Sequence, residues 1–257
     1  GIASVALAWL RREPLAVRIW GREWYERGCI SAHFLNMVVE GERARAVIEV
    51  PTDGARRVRA RVQKEDGTAV LEATVSIGPD HGQTLLDQRR ASLRFADDLV
   101  ILGDMRVGMT GVRDEPVQIG FDRHLGTLYP FSLRDKLDVI TERSGWFEDD
   151  GESPWGRAIL PFEMVSVLAE YTMEEAQLPV RKPVVDLFAD AEVRLIDGPL
   201  FVDEPYVARR EVVALSESRR TESFWLLTRL YERTGQHLKA EVLINHANVK
   251  ASYAGRT

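Results

Sequence analysis

Two stretches of this sequence, 168 residues apart, share one pattern, and this repeat restricts the possible folds more than any other feature. They are RVQKEDGTAVLEATVSI (residues 61–77) and RLYERTGQHLKAEVLIN (residues 229–245), which align without a gap. In each, two runs of strand-forming residues flank a polar turn that carries a glycine, Gly67 or Gly235. This arrangement is typical of a β-hairpin. A hairpin that occurs twice predicts a chain built from two similar halves.

A helix-like segment precedes the hairpin in each half. The first is GIASVALAWLRR (residues 1–12) and the second is PFEMVSVLAEYT (residues 161–172). In the second, Phe162, Val165 and Leu168 share one face while the opposite face is also apolar, so we expect this helix to be buried. Further strand-like segments, residues 29–41 and 206–218, lie between helix and hairpin. The sequence therefore predicts an α+β fold in which a long central helix is wrapped by an antiparallel sheet, present in two copies.

We expect the two halves to meet near residue 98. Residues 78–98 are polar and carry no sustained periodicity, which indicates a linker. The first half with this linker is placed at residues 1–98, and the second half at residues 99–257. Ahead of its helix the second half has a strand-like LVILGDMRVGM, a strand-like EPVQIGF and a short helix-like SLRDKLDVITE. The first half opens directly in its helix and without Met, so we expect a segment upstream of Gly1.

The composition is that of a soluble globular protein. Hydrophobic residues make up 45% and charged residues 29% of the 257-residue chain, and the net charge of −6 gives no electrostatic reason to expect nucleic acid. Basic residues cluster in RRVRARVQK (residues 56–64), but they alternate with apolar ones, which favours the solvated face of a strand. The single cysteine, Cys29, excludes an internal disulfide, and no apolar run approaches the ~20 residues that span a bilayer. We expect a cytoplasmic protein whose partners are neither nucleic acid nor membrane.

The second half resembles the MaoC-like dehydratases and hydratases, which have the hot-dog fold. The resemblance lies in LGDMRVGM (residues 102–109), in SPWGRAILPFEM (residues 153–164) and in the strand-rich residues 208–244. It covers most of residues 99–253. The first half is similar more weakly, through residues 34–50 and 62–78. Double hot-dog acyl-CoA thioesterases share this topology and are the alternative family, so the sequence predicts a double hot-dog.

This resemblance implies a ligand that is an acyl thioester of CoA or of acyl-carrier protein, with no cofactor, and we expect a homodimer. In the family the thioester carbonyl faces the N-terminus of the central helix, where backbone N–H groups stabilise negative charge. Hydratases of this family carry Asp and His in an Asp-x-Asn-Pro-x-His loop as acid and base. Aligned on Pro154, this sequence has Gly151 at the Asp position and Gly156 at the His position. The usual dyad is missing in this register.

Three replacements for the dyad are open. Asp150 or Glu152 takes the place of the Asp after a shift of one residue, although no histidine is near in sequence. Glu163, close to the start of the central helix, serves as the base, as acidic residues there do in hot-dog thioesterases; a carboxylate in a first turn equally stabilises the helix through its dipole. A segment upstream of Gly1 is the third source.

Other residues are expected to bind the substrate. Four of them surround the helix start: Trp155, Gly156, Arg157 and Pro161. Arg157 alternatively forms a salt bridge with Asp149, Asp150 or Glu152. Arg219 and Arg220, in the polar residues 216–223, bind an anionic group such as a CoA phosphate or only mark a turn between two strands. We expect no metal site, because the acidic residues lack the spacing of a calcium loop.

The leading function is therefore acyl-thioester binding with hydratase or dehydratase chemistry. A thioesterase that uses Glu163 is one alternative. A ligand-binding or interaction module that has lost catalysis is the other.

Overall fold

The structure, a computed structural model, describes residues 13–39, 41–52, 54–94, 96, 98–112, 114–140, 144–149 and 152–255. Within these residues nine strands and five α-helices form. The strands are β1 Gly28–Phe34, β2 Ala44–Ile48, β3 Arg57–Lys64, β4 Ala69–Ile77, β5 Glu115–Val117, β6 Asp186–Leu195, β7 Tyr206–Glu217, β8 Thr221–Glu232 and β9 Leu238–Val249. The helices are α1 Glu13–Trp20, α2 Glu23–Arg27, α3 Leu85–Ala91, α4 Leu133–Val139 and α5 Phe162–Glu170, with short 3-10 turns at Gly145–Phe147, Met173–Ala176 and Lys250–Ser252.

These strands form one antiparallel sheet in the order β2-β3-β4-β1-β6-β9-β8-β7-β5. The pairing order of β1–β4 recurs in β6–β9: in each set the first strand pairs with the last, and the last with the third. β1 and β6 join the two sets, with Ala32 opposite Ala191. The predicted hairpins are confirmed as β3–β4 and β8–β9. Their turns pass through Gly67 (φ 87°) and Gly235 (φ 73°), a backbone region that glycine adopts without strain.

Helix α5 is buried against one part of the sheet. All of its residues are buried except Ser166, and it packs against β6, β8 and β9. The prediction of a buried helix is confirmed, but the helix has nine residues and ends before Thr172. At that point the Arg210 guanidinium donates to the Ala169 carbonyl (2.6 Å) and to the Thr172 hydroxyl (2.9 Å), which closes the helix end. The predicted first copy of this helix, residues 1–12, lies outside the described residues.

The predicted linker contains helix α3, which lies against the outer face of the sheet. Its first turn is fixed by a capping box between Thr84 and Asp87. Leu86 is fully buried in a small cluster with Trp225 and Leu243. Arg89 donates to Asp190 at 2.6 Å, in the middle of β6. Residues 84–91 therefore cover the seam where β1 meets β6.

Two predictions for single segments turned out differently. The strand expected at residues 102–109 is wrong: the backbone turns there, because the buried Glu222 carboxylate accepts the N–H groups of Val100, Ile101 and Leu102. Strand β6 was not predicted from the sequence, because its charged residues obscure the pattern of its apolar face. In contrast, the short helix expected in residues 132–142 is confirmed as α4.

One expectation about the surface is also confirmed. Along β3 the residues alternate between exposed and buried, from Arg57 to Val62, as expected for one solvated face. None of the helices within the described residues is long and apolar enough to cross a membrane.

Candidate functional site

The start of α5 is held firmly at one end of the sheet. Pro161 occupies the N-cap position with an extended backbone (φ −51°, ψ 145°). Just ahead of it, the Leu160 N–H donates to the Leu200 carbonyl at 2.8 Å, and Ile159 pairs with Phe201. The loop that holds Leu200 and Phe201 follows the end of β6. The first turn of a helix has N–H groups without partners inside the helix, and it favours a negative charge in front of it.

Glu163 lies in this first turn and is deeply buried. Its side chain is 4% exposed, and its Oε1 lies 3.0 Å from Nζ of Lys136, whose side chain is 9% exposed. Beyond this ion pair, neither carboxylate oxygen has a hydrogen-bond partner among the described residues. Burial raises the pKa of Glu163 to about 7, although the Lys136 ammonium acts in the opposite direction. A carboxyl group with such a pKa exchanges a proton near neutral pH, which is what a general base or acid needs.

Lys136 reaches this position from helix α4. The helix begins with a capping box in which the Ser132 hydroxyl accepts the Asp135 N–H while the Asp135 carboxylate accepts the Ser132 N–H. The Lys136 ammonium also lies 5.3 Å from the ring centroid of Phe131. A buried ammonium is stable only when a carboxylate or an aromatic face compensates for lost water, and here both do so.

Aromatic rings from both halves surround the helix start. Trp24 of α2 stacks on Phe162 with 4.5 Å between ring centroids. Its neighbour Tyr25 contacts Trp146 at 5.6 Å and Trp155 at 6.4 Å, both edge-on. The predicted substrate contact Trp155 therefore belongs to this aromatic group and is half-buried. The group reaches helix α5 through Phe162, the residue before Glu163.

Other predicted residues of the preceding loop lie at the surface. Asp150 and Gly151 fall outside the described residues. Glu152 and Gly156 are exposed, and Gly156 has a positive φ of 67°. Arg157 pairs with Glu204 at 2.8 Å, not with Asp149 or Glu152, and its guanidinium lies over the Phe201 ring at 4.5 Å.

Arg219 and Arg220 lie at the other end of the sheet. Both are exposed in the turn between β7 and β8, and Arg220 accepts a backbone hydrogen bond from Lys250. That turn is next to the beginning of β6, whereas the start of α5 is tied to the loop after the end of β6. The structure therefore does not bring these two arginines to Pro161.

The far end of α5 carries a second buried group of charges. His246 of β9 is fully buried, with Nδ1 2.8 Å from Asp186 and Nε2 3.3 Å from Glu170. Burial alone would lower the pKa of His246, but the two carboxylates raise it to about 10. Phe224 stacks on the imidazole at 4.5 Å. This cluster was missed from the sequence. The available signal was the pair of glutamates seven residues apart, Glu163 and Glu170, in an otherwise apolar helix.

Within the described residues, none of the histidines pairs with Glu163. His33 contacts Asp190 at 2.8 Å, and the exposed His237 lies 3.8 Å from Glu232. No group of described His, Cys, Asp and Glu side chains could hold a metal ion. The start of α5 thus offers one buried carboxylate, one ammonium and the helix N-terminus.

A large antiparallel sheet packed against a buried helix is the arrangement of the hot-dog fold. The structure of this protein is similar to that of a MaoC domain protein dehydratase from Chloroflexus aurantiacus, with a TM-score of 0.53 and 14% identity over 87% of this chain and 75% of that one. It is also similar to an acyl-CoA thioesterase II from Mycobacterium marinum, with a TM-score of 0.42 and 14% identity over 90% and 83%. No family model and no curated protein matches the sequence.

Proposed function

We propose that this protein binds an acyl thioester of CoA or of an acyl carrier at the start of α5 and hydrolyses it with Glu163 as the base. The observation that carries the proposal is the carboxylate of Glu163, buried in the first helical turn 3.0 Å from the Lys136 ammonium, with a pKa of about 7. The hot-dog fold supports it, because the similar structures include an acyl-CoA thioesterase and a dehydratase.

The reaction follows from the groups at the helix start. Glu163 accepts a proton from a water molecule while the water oxygen attacks the thioester carbonyl carbon. The oxyanion that forms is stabilised by N–H groups of the first turn. The C–S bond then breaks, and Glu163 returns the proton to the departing thiolate, giving a carboxylic acid and a free thiol.

Hydrolysis needs one group that shuttles a proton, whereas hydration of an enoyl thioester needs a base for water and an acid for the α-carbon. The sequence favoured hydration, but the histidine that pairs with a carboxylate on the helix side, His246, lies at the far end of α5. Of the residues predicted to bind substrate, Trp155 and Arg157 remain our candidates for contacts with the acyl carrier.

The two halves are proposed to be copies of one hot-dog unit. The recurring strand order of β1–β4 and β6–β9 supports this. A homodimer stays a prediction, which the molar mass in solution tests directly.

The proposed function is tested with Glu163→Gln, which keeps the size of the side chain. We expect release of free thiol from saturated acyl-CoAs by the wild type, and a kcat lower by about 100-fold or more in the variant, as for loss of a general base. The matched control is Glu174→Gln, an exposed glutamate paired with Lys182, which should hydrolyse at the wild-type rate.

Other outcomes identify the alternatives. Loss of the enoyl absorbance of crotonyl-CoA without thiol release would assign hydration. A shift in melting temperature without either reaction would assign a binding module. If no acyl-CoA shifts the melting temperature, the thioester proposal is wrong.

A further inference from the structure

Lys136 is an unusual residue to find beside the start of a central helix. Its side chain is 9% exposed, in the company of Phe131 and Glu163. Removing an ammonium from water is costly, and an apolar residue of similar size in place of a buried ion pair is often neutral or stabilising. Packing alone therefore does not explain why a lysine is present at this position.

The position of Lys136 is specified by the chain around it. The capping box of Ser132 and Asp135 fixes the first turn of α4, and the Lys136 N–H donates to the Ser132 carbonyl at 3.2 Å. The ammonium lies 3.0 Å from Oε1 of the Glu163 carboxylate. Beyond this ion pair, neither carboxylate oxygen has a hydrogen-bond partner among the described residues, so the carboxylate is held by one charge and keeps its capacity to accept a proton.

Two titratable groups face Glu163 within the described residues, Lys136 and Tyr129. Burial, and then the carboxylates of Glu170 and Glu163, raise the pKa of the Tyr129 hydroxyl well above its usual range, so this hydroxyl is neutral at physiological pH. Burial is the larger influence on the pKa of Glu163 and raises it, and Lys136 is the charge that acts against burial.

We propose that Lys136 is a positioning residue that holds the Glu163 carboxylate through their ion pair and favours its ionised form, the form that accepts a proton from the attacking water. This inference rests on the proposed function of Glu163. An opposite charge within hydrogen-bond distance lowers the pKa of a carboxyl group by about one to three units. Without Lys136, Glu163 would take up its proton at a higher pH and lose its capacity as a base at pH 7.

The first experiment measures Glu163 without relying on turnover. Because the folded pKa of about 7 lies above the ordinary 4.5, the contribution of Glu163 to stability is complete below about 4.5 and is lost as the pH rises through 7. The wild type and Glu163→Gln are unfolded in urea from pH 4 to 9. The difference between their free energies of unfolding reports the titration of Glu163. We expect the same comparison in a Lys136→Met background to place the titration about one pH unit higher or more.

The second experiment measures kcat/KM against pH. In Lys136→Met, the pH at which kcat/KM rises should increase by as much as the Glu163 titration does. Activity at pH 7 should be reduced about tenfold and should recover at higher pH. Lys136→Arg should restore the wild-type profile, because it keeps the charge. Lys136→Gln, which keeps a donor but not the charge, should behave like Lys136→Met and serves if the methionine variant does not fold.

The outcomes separate this inference from the proposed function. A Glu163 titration that is the same with and without Lys136 overturns the inference, as does a loss of activity that is equal at every pH. If the titration moves but the wild type hydrolyses no thioester, the electrostatic role of Lys136 stands and the proposed function fails.

Discussion

The positive charge of Arg210 lies at the C-terminal end of helix α5. The side chain is 1% exposed and is paired with the equally buried Glu115. Its guanidinium also donates to the Ala169 carbonyl in the last turn of α5. A cation at this end is favoured by the helix dipole.

We therefore predict that Arg210→Met lowers the free energy of unfolding by about 3–5 kcal/mol, because it leaves the buried Glu115 carboxylate without the Arg210 charge and with the Thr172 hydroxyl as a neutral donor. The neighbouring Arg209→Met is the control. Arg209 forms an exposed pair with Asp114 at 2.8 Å, so its loss should cost about 1 kcal/mol or less. Urea unfolding of both variants measures the difference, and equal losses would contradict this account.

Single residues are also where sequence reasoning reached its limit at the site. Glu163 could be found because a carboxylate in the first turn of an apolar helix is a local pattern. Lys136 and His246 could not, since their partners are distant in the chain and only the fold brings them together. For the same reason Arg219 and Arg220, which resemble an anion site in the sequence, lie far from the helix start.

At the scale of elements, helices α3 and α4 have the same length and both begin with a capping box, but the two caps have different partners. In α4 the Ser132 hydroxyl accepts the Asp135 N–H. In α3 the Thr84 hydroxyl accepts the Asp87 N–H and also donates to the buried Glu192 at 2.7 Å. The cap of α3 thus ties the helix to strand β6.

We predict that Ser132→Ala lowers the free energy of unfolding by about 1 kcal/mol, the usual value of an N-cap. Thr84→Ala should cost about 1–3 kcal/mol more, because Glu192 loses its buried donor. Thr84→Ser keeps the hydroxyl and should recover most of that loss. Equilibrium unfolding of the three variants gives their order of stability. If Thr84→Ala is as stable as Ser132→Ala, the stabilising link to Glu192 is refuted.

The elements also show which patterns can be read in advance. The hairpins β3–β4 and β8–β9, the buried helix α5 and the short helix α4 follow from local periodicity and turn residues. The turn at residues 100–102 does not, because its N–H groups are satisfied by Glu222, more than a hundred residues later. Helix α3 was predicted to be a linker because it is rich in polar residues. In the fold, these residues contact charged side chains of the sheet.

At the scale of the whole molecule, the seam between β1 and β6 joins both halves into one sheet. Five residue pairs face one another there, from Cys29 opposite Arg194 to His33 opposite Asp190. Asp190 also accepts from Asn245 at 2.7 Å, and its side chain is fully buried.

We predict that the halves unfold together. Far-UV circular dichroism and tryptophan fluorescence should give one coincident transition in urea, for the wild type and for Asp190→Asn, with the midpoint lower in the variant. Two separate transitions in the wild type would contradict a cooperative sheet.

The position of α3 has a consequence for anyone who wishes to divide this chain. A fragment that begins at Leu99 would carry Trp225 and Leu243 without Leu86, the residue that shields them, and would leave the edge of β6 open to other chains. The polar stretch before residue 98 is therefore a poor place for a break. A circular permutant, a split reporter or a transplant of the second half should carry residues 84–91 along with it.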